Sequence, residues 1–348
     1  MADVNSLYTV TPRQAARFIE DILYAGLVPN LESSPGMGKS SIYRQVAKKL
    51  NLCLIDQRVS TMDTTDFTGL PHFVNGFAKF SPFEDMFPIE STPVPKGYDG
   101  WLVFLDEYNA GPKAIQAASY KLILDKMVGL KRLHERVAMG LAGNLATDRA
   151  IVNPLSTAAQ SRLIHLKMVI SFKEWMEDVA IPENYDFRVK AYLSQFESKL
   201  MDFDPAHTER TFCCPRTWEF VNRLIEGKEV TDDIAVLLAG TITSGVAVEF
   251  VQFCQIYKNL ISISQIMASP QSCTIPYETN LKWATVCHMM EKVTNDNFDD
   301  LSIYANRFSL DFRILFFRSI MARKETKHLR QHPAFAKAQL ELSRYLNG

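Results

Sequence analysis

Residues 33–50 have the sequence SSPGMGKSSIYRQVAKKL, in which two glycines and a lysine run directly into a segment of helical period. Residues 33–40 match the phosphate-loop pattern G-x-x-x-x-G-K-[ST] at every defined position except the first, which is Ser33. The apolar stretch LVPNLES (27–33) before the turn indicates a strand, and every fourth residue after the turn is apolar. Because a phosphate-binding loop lies between a strand and a helix, the sequence predicts that this turn holds a nucleotide phosphate.

The residues of this turn are predicted to bind ATP together with Mg²⁺. Glycine lets backbone N–H groups approach the phosphates, and the start of the following helix adds a positive dipole end. Lys39 is expected to reach the β- and γ-phosphates, and Ser40 is expected to ligate Mg²⁺. A Cβ at Ser33, where glycine is usual, is expected to tighten the turn or to change the affinity. The predicted nucleotide-binding residues are Ser34, Pro35, Gly36, Met37, Gly38, Lys39, Ser40 and Ser41.

A second motif, WLVFLDE (101–107), is a continuous apolar run that ends in two carboxylates. Such a run predicts a strand buried on both faces. Ligands of open α/β sheets bind at the carboxyl ends of the strands, which is where Asp106 and Glu107 would lie. We expect Asp106 to hold Mg²⁺, directly or through water, and Glu107 to act as the general base for the attacking water.

The order of the remaining elements predicts the fold class. Apolar strand patterns and helix patterns alternate up to about residue 170, and such alternation predicts a mostly parallel sheet with helices on both sides. Beyond that point the strand signals end and the patterns are helical. The predicted strands, besides the two above, are 52–57, 136–144 and 162–168, and the predicted helices of this part are 11–25, 39–50 and 112–127.

Composition and charge exclude several classes of protein. The 348 residues allow two or three domains, and a net charge of −1 gives no overall attraction to nucleic acid or to an anionic membrane. The six cysteines lack the spacing of a zinc site or of a disulfide framework. The start of the chain lacks the pattern of a signal peptide, and polar residues interrupt the apolar run 234–257, which predicts a buried helical hairpin. We therefore expect a cytoplasmic protein with no membrane span.

Taken together, these motifs resemble the AAA+ ATPases and, within them, the MoxR branch. The resemblance covers roughly residues 10–260. It is carried by the phosphate loop, the LDE strand end, GLAGN (140–144), AAQSRLIHL (158–166) and CCPRTWEF (213–220), which occur in this order. The intervening segments also look MoxR-like: RVSTMDTTDFTGLP (58–71), LDEYNAGPKAIQAASYKLILD (105–125) and GNLATDRAIVNPL (143–155).

The resemblance implies roles for three further residues beside the catalytic Glu107. Asn144 matches sensor 1, which orients the water against the γ-phosphate. Arg162 matches the arginine finger, which reaches the nucleotide of a neighbouring subunit, with Arg149 as the rival position. Arg216 matches sensor 2, which touches the γ-phosphate and couples it to the position of the lid.

The resemblance also implies an architecture and a mode of action. It implies a P-loop AAA+ core with a mostly parallel five-stranded sheet flanked by helices in residues 1–170, an all-α lid domain in 171–262 and a helical C-terminal extension in 263–348. Members of the family form homo-oligomeric rings, and the resemblance implies a hexamer for this chain. The family acts as chaperones or remodelling factors, often on a partner with a von Willebrand factor A-type domain.

Several alternatives remain open at this point. The same core could serve a nucleic-acid-dependent motor or loader, although the neutral charge argues against nucleic acid. It could also serve as a nucleotide-switched scaffold with little turnover. Six phenylalanines in region 60–90 could grip a client chain or belong to the core. The basic segment 318–332 could touch an acidic partner or form a solvated helix face.

Overall fold

The computed structural model describes residues 8–148, 152–256, 260–323 and 325–346. The chain divides into two units. One comprises the described residues up to Ile170 together with Asp204–Ala206, and the other comprises Ser171–Phe203 and the described residues from His207 onward. All strands of the described residues that form the sheet lie in the first unit, and the second unit is helical.

The strands of the first unit are β1 (Thr9–Val10), β2 (Val28–Ser33), β3 (Leu52–Arg58), β4 (Leu70–Val74), β5 (Phe77–Ser81), β6 (Gly100–Asp106), β7 (Met127–Val128), β8 (Lys131–Arg132), β9 (Val137–Asn144) and β10 (Leu163–Met168). Six of them form a central sheet in the order β1-β10-β2-β9-β6-β3, in which every neighbouring pair is parallel. Two antiparallel hairpins, β4–β5 and β7–β8, lie outside this sheet.

The predicted α/β fold class is confirmed, with one addition. The five predicted strands are present, and the two-residue strand β1 adds a sixth at the edge of the sheet. A strand of two residues is too short to show an alternating pattern, so periodicity gives no sign of it.

The helices of the first unit are α1 (Pro12–Tyr24), α2 (Lys39–Lys49), α3 (Thr64–Thr68), α4 (Lys113–Asp125) and α5 (Thr157–Gln160). The start of α1 is a capping box formed by Thr11 and Gln14. The Thr11 side chain accepts a hydrogen bond from the backbone N–H of Gln14, and the Gln14 side chain accepts one from the backbone N–H of Thr11. Two otherwise unsatisfied donors are paired in this way, which fixes where the helix begins.

Helices cover both faces of the sheet, as the buried strand β6 shows. On one face the ring of Phe104 stacks on Tyr43 of α2, with ring centroids 4.3 Å apart. On the other face Val103 and Leu105 belong to a buried cluster that includes Ile115 of α4. Because successive residues of a strand point to opposite faces, a strand buried between two helix layers is apolar at every position.

Tyr43 explains one glycine of the sequence GLAGN. A Cβ at Gly140 would lie 2.3 Å from the Tyr43 ring, so only glycine leaves room for the ring against β9. The Tyr43 hydroxyl donates a hydrogen bond of 2.8 Å to the carbonyl of Leu141, and burial raises the pKa of Tyr43. Tyr43 therefore joins α2, which begins at the phosphate loop, to strand β9.

The second unit is helical, as predicted. The side chains of Tyr192, Trp218 and Phe250 contact one another at its core, with ring centroids 5.3 to 5.7 Å apart. Its helices are α6 (Phe172–Trp175), α7 (Phe187–Gln195), α8 (Pro215–Ile225), α9 (Ile234–Ile242), α10 (Ser244–Ile256), α11 (Ile263–Ala268), α12 (Thr279–Lys292), α13 (Phe298–Ala305), α14 (Leu310–Ala322) and α15 (Pro333–Leu346). The predicted division into a lid and an extension at residues 262–263 stays a prediction.

Two apolar or long helical stretches are interrupted. The apolar run 234–257 forms, over its described residues up to Ile256, two helices that separate at Thr243. The segment 297–344, whose pattern is helical throughout, contains α13, α14 and α15, and Pro333 begins the last of them because proline lacks the N–H that a helix interior requires. Within the described residues, no helix is both long and apolar enough to cross a membrane.

Candidate functional site

The carboxyl ends of three parallel strands meet at one edge of the sheet. In the pairing of β2 with β9, Ser33 lies opposite Asn144, and β9 in turn pairs with β6, which ends at Asp106. The turn after β2 requires two glycines, because Gly36 and Gly38 have φ of +78° and +88°. This edge therefore brings together three predicted motifs: the phosphate loop, the LDE strand end and GLAGN.

Lys39 joins the turn to the end of β9. Its buried ammonium donates hydrogen bonds to the carbonyl of Ser33 at 3.0 Å, to that of Ser34 at 3.4 Å and to Oδ1 of Asn144 at 3.0 Å. The hydroxyl of Ser33 also accepts from Lys39, at 3.3 Å. Serine at the first position of the pattern thus supplies an oxygen to the lysine that glycine would lack.

The start of α2 has the features of an anion-binding site. The first backbone N–H groups of a helix have no acceptor within the helix, and Gly38 offers no side chain to cap them. A helix amino terminus in this condition favours a negative charge. The predicted phosphate-binding residues, from Ser34 to Ser41, form this turn and the first turn of α2.

Ser40 and Asp106 form an oxygen-donor pair of the kind that Mg²⁺ prefers. The Ser40 hydroxyl donates a 2.7 Å hydrogen bond to Oδ2 of Asp106, and Oδ1 of the same carboxylate accepts from the backbone N–H of Glu107 at 2.8 Å. Mg²⁺ at nucleotide sites takes one or two protein oxygens together with phosphate oxygens and water. No group of three or more His, Cys, Asp or Glu that could hold a metal occurs in the described part of the chain.

Glu107 lies beside this pair in a left-handed backbone conformation, with φ of +53°. Such a conformation is uncommon outside glycine and is found at functional sites. The hydroxyl of Ser60 donates a short hydrogen bond to the Glu107 carboxylate. Ser60 follows β3, whose last residue Arg58 pairs with Asp106, so the register of the sheet brings the two side chains together. No local pattern in the sequence marks Ser60, so it was not among the predicted site residues.

Asn109 is a second site residue that was not among the predicted ones. Its buried side-chain amide donates to the carbonyl of Asn144 at 2.7 Å and accepts from the backbone N–H of Asn144 at 3.0 Å. A Cβ at Gly143 would lie 2.6 Å from the Asn109 side chain, so the second glycine of GLAGN makes room for this amide. That glycine was the signal in the sequence that could have indicated a close side chain.

Tyr108, which follows the acidic pair, is a core residue. Its ring is fully buried, its hydroxyl lies 3.1 Å from that of Ser119, and burial raises the pKa of Tyr108 to about 12. The side chain is thus directed into the packing beneath the strand end, away from the polar groups of Asp106 and Glu107.

Arg162 makes its hydrogen bonds within its own turn and not with this cluster. Arg162 is exposed at the end of α5 and donates a 2.9 Å hydrogen bond to the carbonyl of Ala158. Arg149 lies outside the described residues. Arg216, also exposed, is the second residue of α8 in the helical unit. The structure thus brings Lys39 and Ser40 together with the two strand ends, whereas the roles of the arginines stay predictions.

The phenylalanines of region 60–90 divide between core and surface. Phe67 and Phe87 are buried, with ring centroids 5.7 Å apart. Phe73, Phe77 and Phe80 lie on the hairpin β4–β5 and are 80%, 74% and 48% exposed. A two-stranded hairpin with exposed aromatic side chains buries little apolar surface of its own. Phe67 and Phe87 therefore belong to the core, whereas the gripping of a client chain by the exposed phenylalanines stays a prediction.

No protein-family model and no curated protein sequence matches the chain. Among solved structures, the RuvB Holliday junction branch migration motor of Thermotoga maritima is 15% identical, with 74% of this chain and 80% of that chain covered and a TM-score of 0.36. A point mutant of the same motor is 15% identical over 83% and 86% of the two chains, with a TM-score of 0.37. A "putative ATPase" from Cytophaga hutchinsonii is 13% identical over 97% and 90%, with a TM-score of 0.36. Likenesses of this extent assign no activity or partner to this chain.

Proposed function

We propose that the protein is an ATP-hydrolysing AAA+ enzyme of the MoxR type that forms a ring and remodels a partner protein. One observation carries the ATPase part of the proposal. Lys39 is hydrogen-bonded to Asn144 and Ser40 to Asp106, and the four side chains meet beside Glu107 at the edge of the sheet where the strands end. A lysine, a metal-binding pair and a base are the groups that phosphoryl transfer to water requires.

Each of these side chains has a distinct task in the proposal. Lys39 would neutralise the charge of the β- and γ-phosphates, while Ser40 and Asp106 would hold Mg²⁺, which supplies charge neutralisation on the same phosphates. Glu107, held by Ser60, would accept the proton of the attacking water. Asn144 would orient that water, and its backbone is fixed for this purpose by Asn109.

The arginine finger would come from the neighbouring subunit. A guanidinium on the γ-phosphoryl oxygens contributes about 10³–10⁵ in rate, so an isolated subunit would hydrolyse ATP slowly and a closed ring would be active. The exposure of Arg162 supports this role, because its guanidinium is available at the surface of the first unit. We expect the ring to be a hexamer and Arg216 to report the γ-phosphate to the lid.

The exposed hairpin supports the action on a partner protein. Phe73, Phe77 and Phe80 offer apolar side chains at the surface, which suit the gripping of a polypeptide. We propose that the client contacts this hairpin and that a protein with a von Willebrand factor A-type domain serves as partner. On the sequence ground of cysteine use, we propose that this activity takes place in the cytoplasm.

The test of the ATPase is a comparison of four proteins by calorimetry with ATP and by phosphate release. Wild type is expected to bind and hydrolyse ATP, Lys39→Ala to lose binding, and Glu107→Gln to bind ATP but to hydrolyse it about 10²–10⁴-fold more slowly. Glu84→Gln, at an exposed position outside the site, is the matched control. Unchanged turnover in Glu107→Gln, or no ATP binding by the folded wild type, would overturn the proposal.

The test of the ring is a mixture of two inactive variants. Lys39→Ala subunits keep the finger but lack the site, and Arg162→Ala subunits keep the site but lack the finger. Their mixture is expected to regain activity, since some sites would then receive a finger from a neighbour. If Arg162→Ala alone is as active as wild type, while Arg149→Ala is inactive and recovers when mixed with Lys39→Ala, the finger is assigned to Arg149. Stimulation of the wild type by DNA alone would instead favour the nucleic-acid motor.

A further inference from the structure

We infer that His165 is a positioning residue for Arg162, which it holds through a chain of hydrogen bonds that begins inside strand β2. The chain runs from Asn30 to His165 and from there to the carbonyl of Gln160, two residues before Arg162. The inference rests on the proposed role of Arg162 in a neighbouring site. It assigns a task to polar groups of the sheet that the proposed chemistry does not use.

Asn30 is an unusual residue for its place. It lies in β2 between the apolar residues Pro29 and Leu31, and it is 2% exposed. A buried amide is costly unless it is hydrogen-bonded. Its Nδ2 lies 3.3 Å from Nδ1 of His165, the residue directly opposite it on β10, and 3.3 Å from Oε1 of Glu32. The two hydrogens of the amide are therefore used by these two acceptors.

The contacts of His165 select one neutral form of its ring. Nδ1 must accept, because the Asn30 amide nitrogen can only donate to it. Nε2 lies 3.0 Å from the carbonyl oxygen of Gln160, which can only accept, so Nε2 must carry the proton. The neutral tautomer with the proton on Nε2 satisfies both contacts at once. Every donor in the chain from Glu32 to Gln160 then has an acceptor.

The turn that carries Arg162 depends on such external contacts. Helix α5 has only four residues, and a helix of one turn has no stability of its own. Its last carbonyls are held by two side chains that follow it: Arg162 donates to the carbonyl of Ala158, and His165 donates to that of Gln160. His165 thus ties the end of α5 to the sheet, and the base of the finger is fixed by the same bond.

A finger needs this accuracy because its effect depends on geometry. Displacement of a reacting or charge-stabilising group by about 1 Å costs on the order of 10²-fold in rate. Loss of the imidazole is therefore expected to lower the rate of hydrolysis and to leave the binding of ATP unchanged, since the phosphate loop keeps its own contacts.

The deciding experiment uses His165→Phe in mixtures with the two variants that define the site and the finger. If His165 positions the finger, His165→Phe subunits keep a working site and lack a working finger. Mixed with Lys39→Ala they are expected to regain turnover, and mixed with Arg162→Ala they are expected to stay inactive. The reverse result, recovery with Arg162→Ala alone, would show damage to the phosphate loop of the same subunit and would overturn the inference.

Two further measurements separate this inference from the proposed function. His165→Phe alone is expected to lower kcat by about 10²-fold with unchanged KM for ATP, and Asn30→Leu is expected to do the same, because it breaks the chain one step earlier. Ring ¹⁵N spectra of the wild-type protein are expected to show His165 with Nε2 protonated and Nδ1 unprotonated. A proton on Nδ1 of His165 at neutral pH would overturn the inference, whatever rates of ATP hydrolysis the variants have. If the mixture of Lys39→Ala with Arg162→Ala does not regain activity, this result counts only against a finger supplied by the neighbouring subunit.

Discussion

Replacement of Asn109 by alanine tests how the site holds its water-orienting residue. The Asn109 side chain makes two hydrogen bonds, of 2.7 and 3.0 Å, and both go to the backbone of Asn144. Each backbone group left unsatisfied costs about 1–3 kcal/mol. Because Asn144 is only half-buried, we take about 1–2 kcal/mol for each of the two groups, so Asn109→Ala is expected to weaken the local structure at Asn144 by about 2–4 kcal/mol. Since about 1.4 kcal/mol is a factor of ten in an equilibrium constant, the equilibrium constant for local opening at Asn144 would rise roughly 10²-fold.

Hydrogen exchange at the Asn144 amide reads this effect directly. In Asn109→Ala the protection of that amide is expected to fall by about 10²-fold, and turnover with ATP is expected to fall with it, since Asn144 would no longer be fixed beside Lys39. Asn109→Asp keeps an acceptor for the Asn144 N–H and is expected to preserve most of the protection.

Asn153→Ala is the matched control. Its side chain donates to the carbonyl of Gly111 at 3.0 Å and makes no direct bond to Asn144, so the substitution removes a nearby amide without touching the contact in question. The reasoning is refuted if the Asn144 amide exchanges equally slowly in wild type and in Asn109→Ala, or if Asn153→Ala exposes it to the same extent.

Three other predictions each rest on a single side chain or glycine. Ser60→Ala is expected to lower turnover about tenfold or more with unchanged ATP affinity, because a hydrogen bond to the Glu107 carboxylate is worth about 1.5–3 kcal/mol. Phosphate release measures the turnover and calorimetry the affinity, and Ser60→Thr should restore the rate. Gly140→Ala is expected to destabilise the first unit by about 1–3 kcal/mol, because the new Cβ would overlap the Tyr43 ring, and urea unfolding measures it. Lys190→Met is expected to stabilise the helical unit, because the buried Lys190 ammonium has no hydrogen-bond partner among the described residues and burial lowers its pKa below the ordinary 10.5. Because the pKa of Lys190 is lower in the folded state than in the unfolded state, the free-energy cost of burying its charge is complete below the folded pKa and disappears as the pH rises to 10.5. The increase in the free energy of unfolding of Lys190→Met, measured with urea, should therefore shrink over this range. An increase that does not depend on pH would contradict the argument.

The local elements of the site could be predicted from the sequence, because each is defined by neighbouring residues. A glycine turn with Lys39 between a strand and a helix, and an apolar strand that ends in Asp106 and Glu107, are patterns within about ten residues. The alternation of strands and helices also indicated a parallel sheet, and parallel strands place their carboxyl ends at one edge. The meeting of these motifs was therefore determined by local pattern together with a general rule of sheet topology.

The supporting residues were decided by the tertiary structure alone. Ser60 contacts Glu107 across 47 residues of sequence, Asn109 holds Asn144 across 35, and Asn30 meets His165 across 135. A polar side chain at such positions has the same local pattern whether it faces solvent or a buried partner. Only the order of the strands and their register decide which it meets. One residue of slip would turn Asn30 to the other face of the sheet, and it would displace the turns after β3 and β6 that carry Ser60 and Asn109.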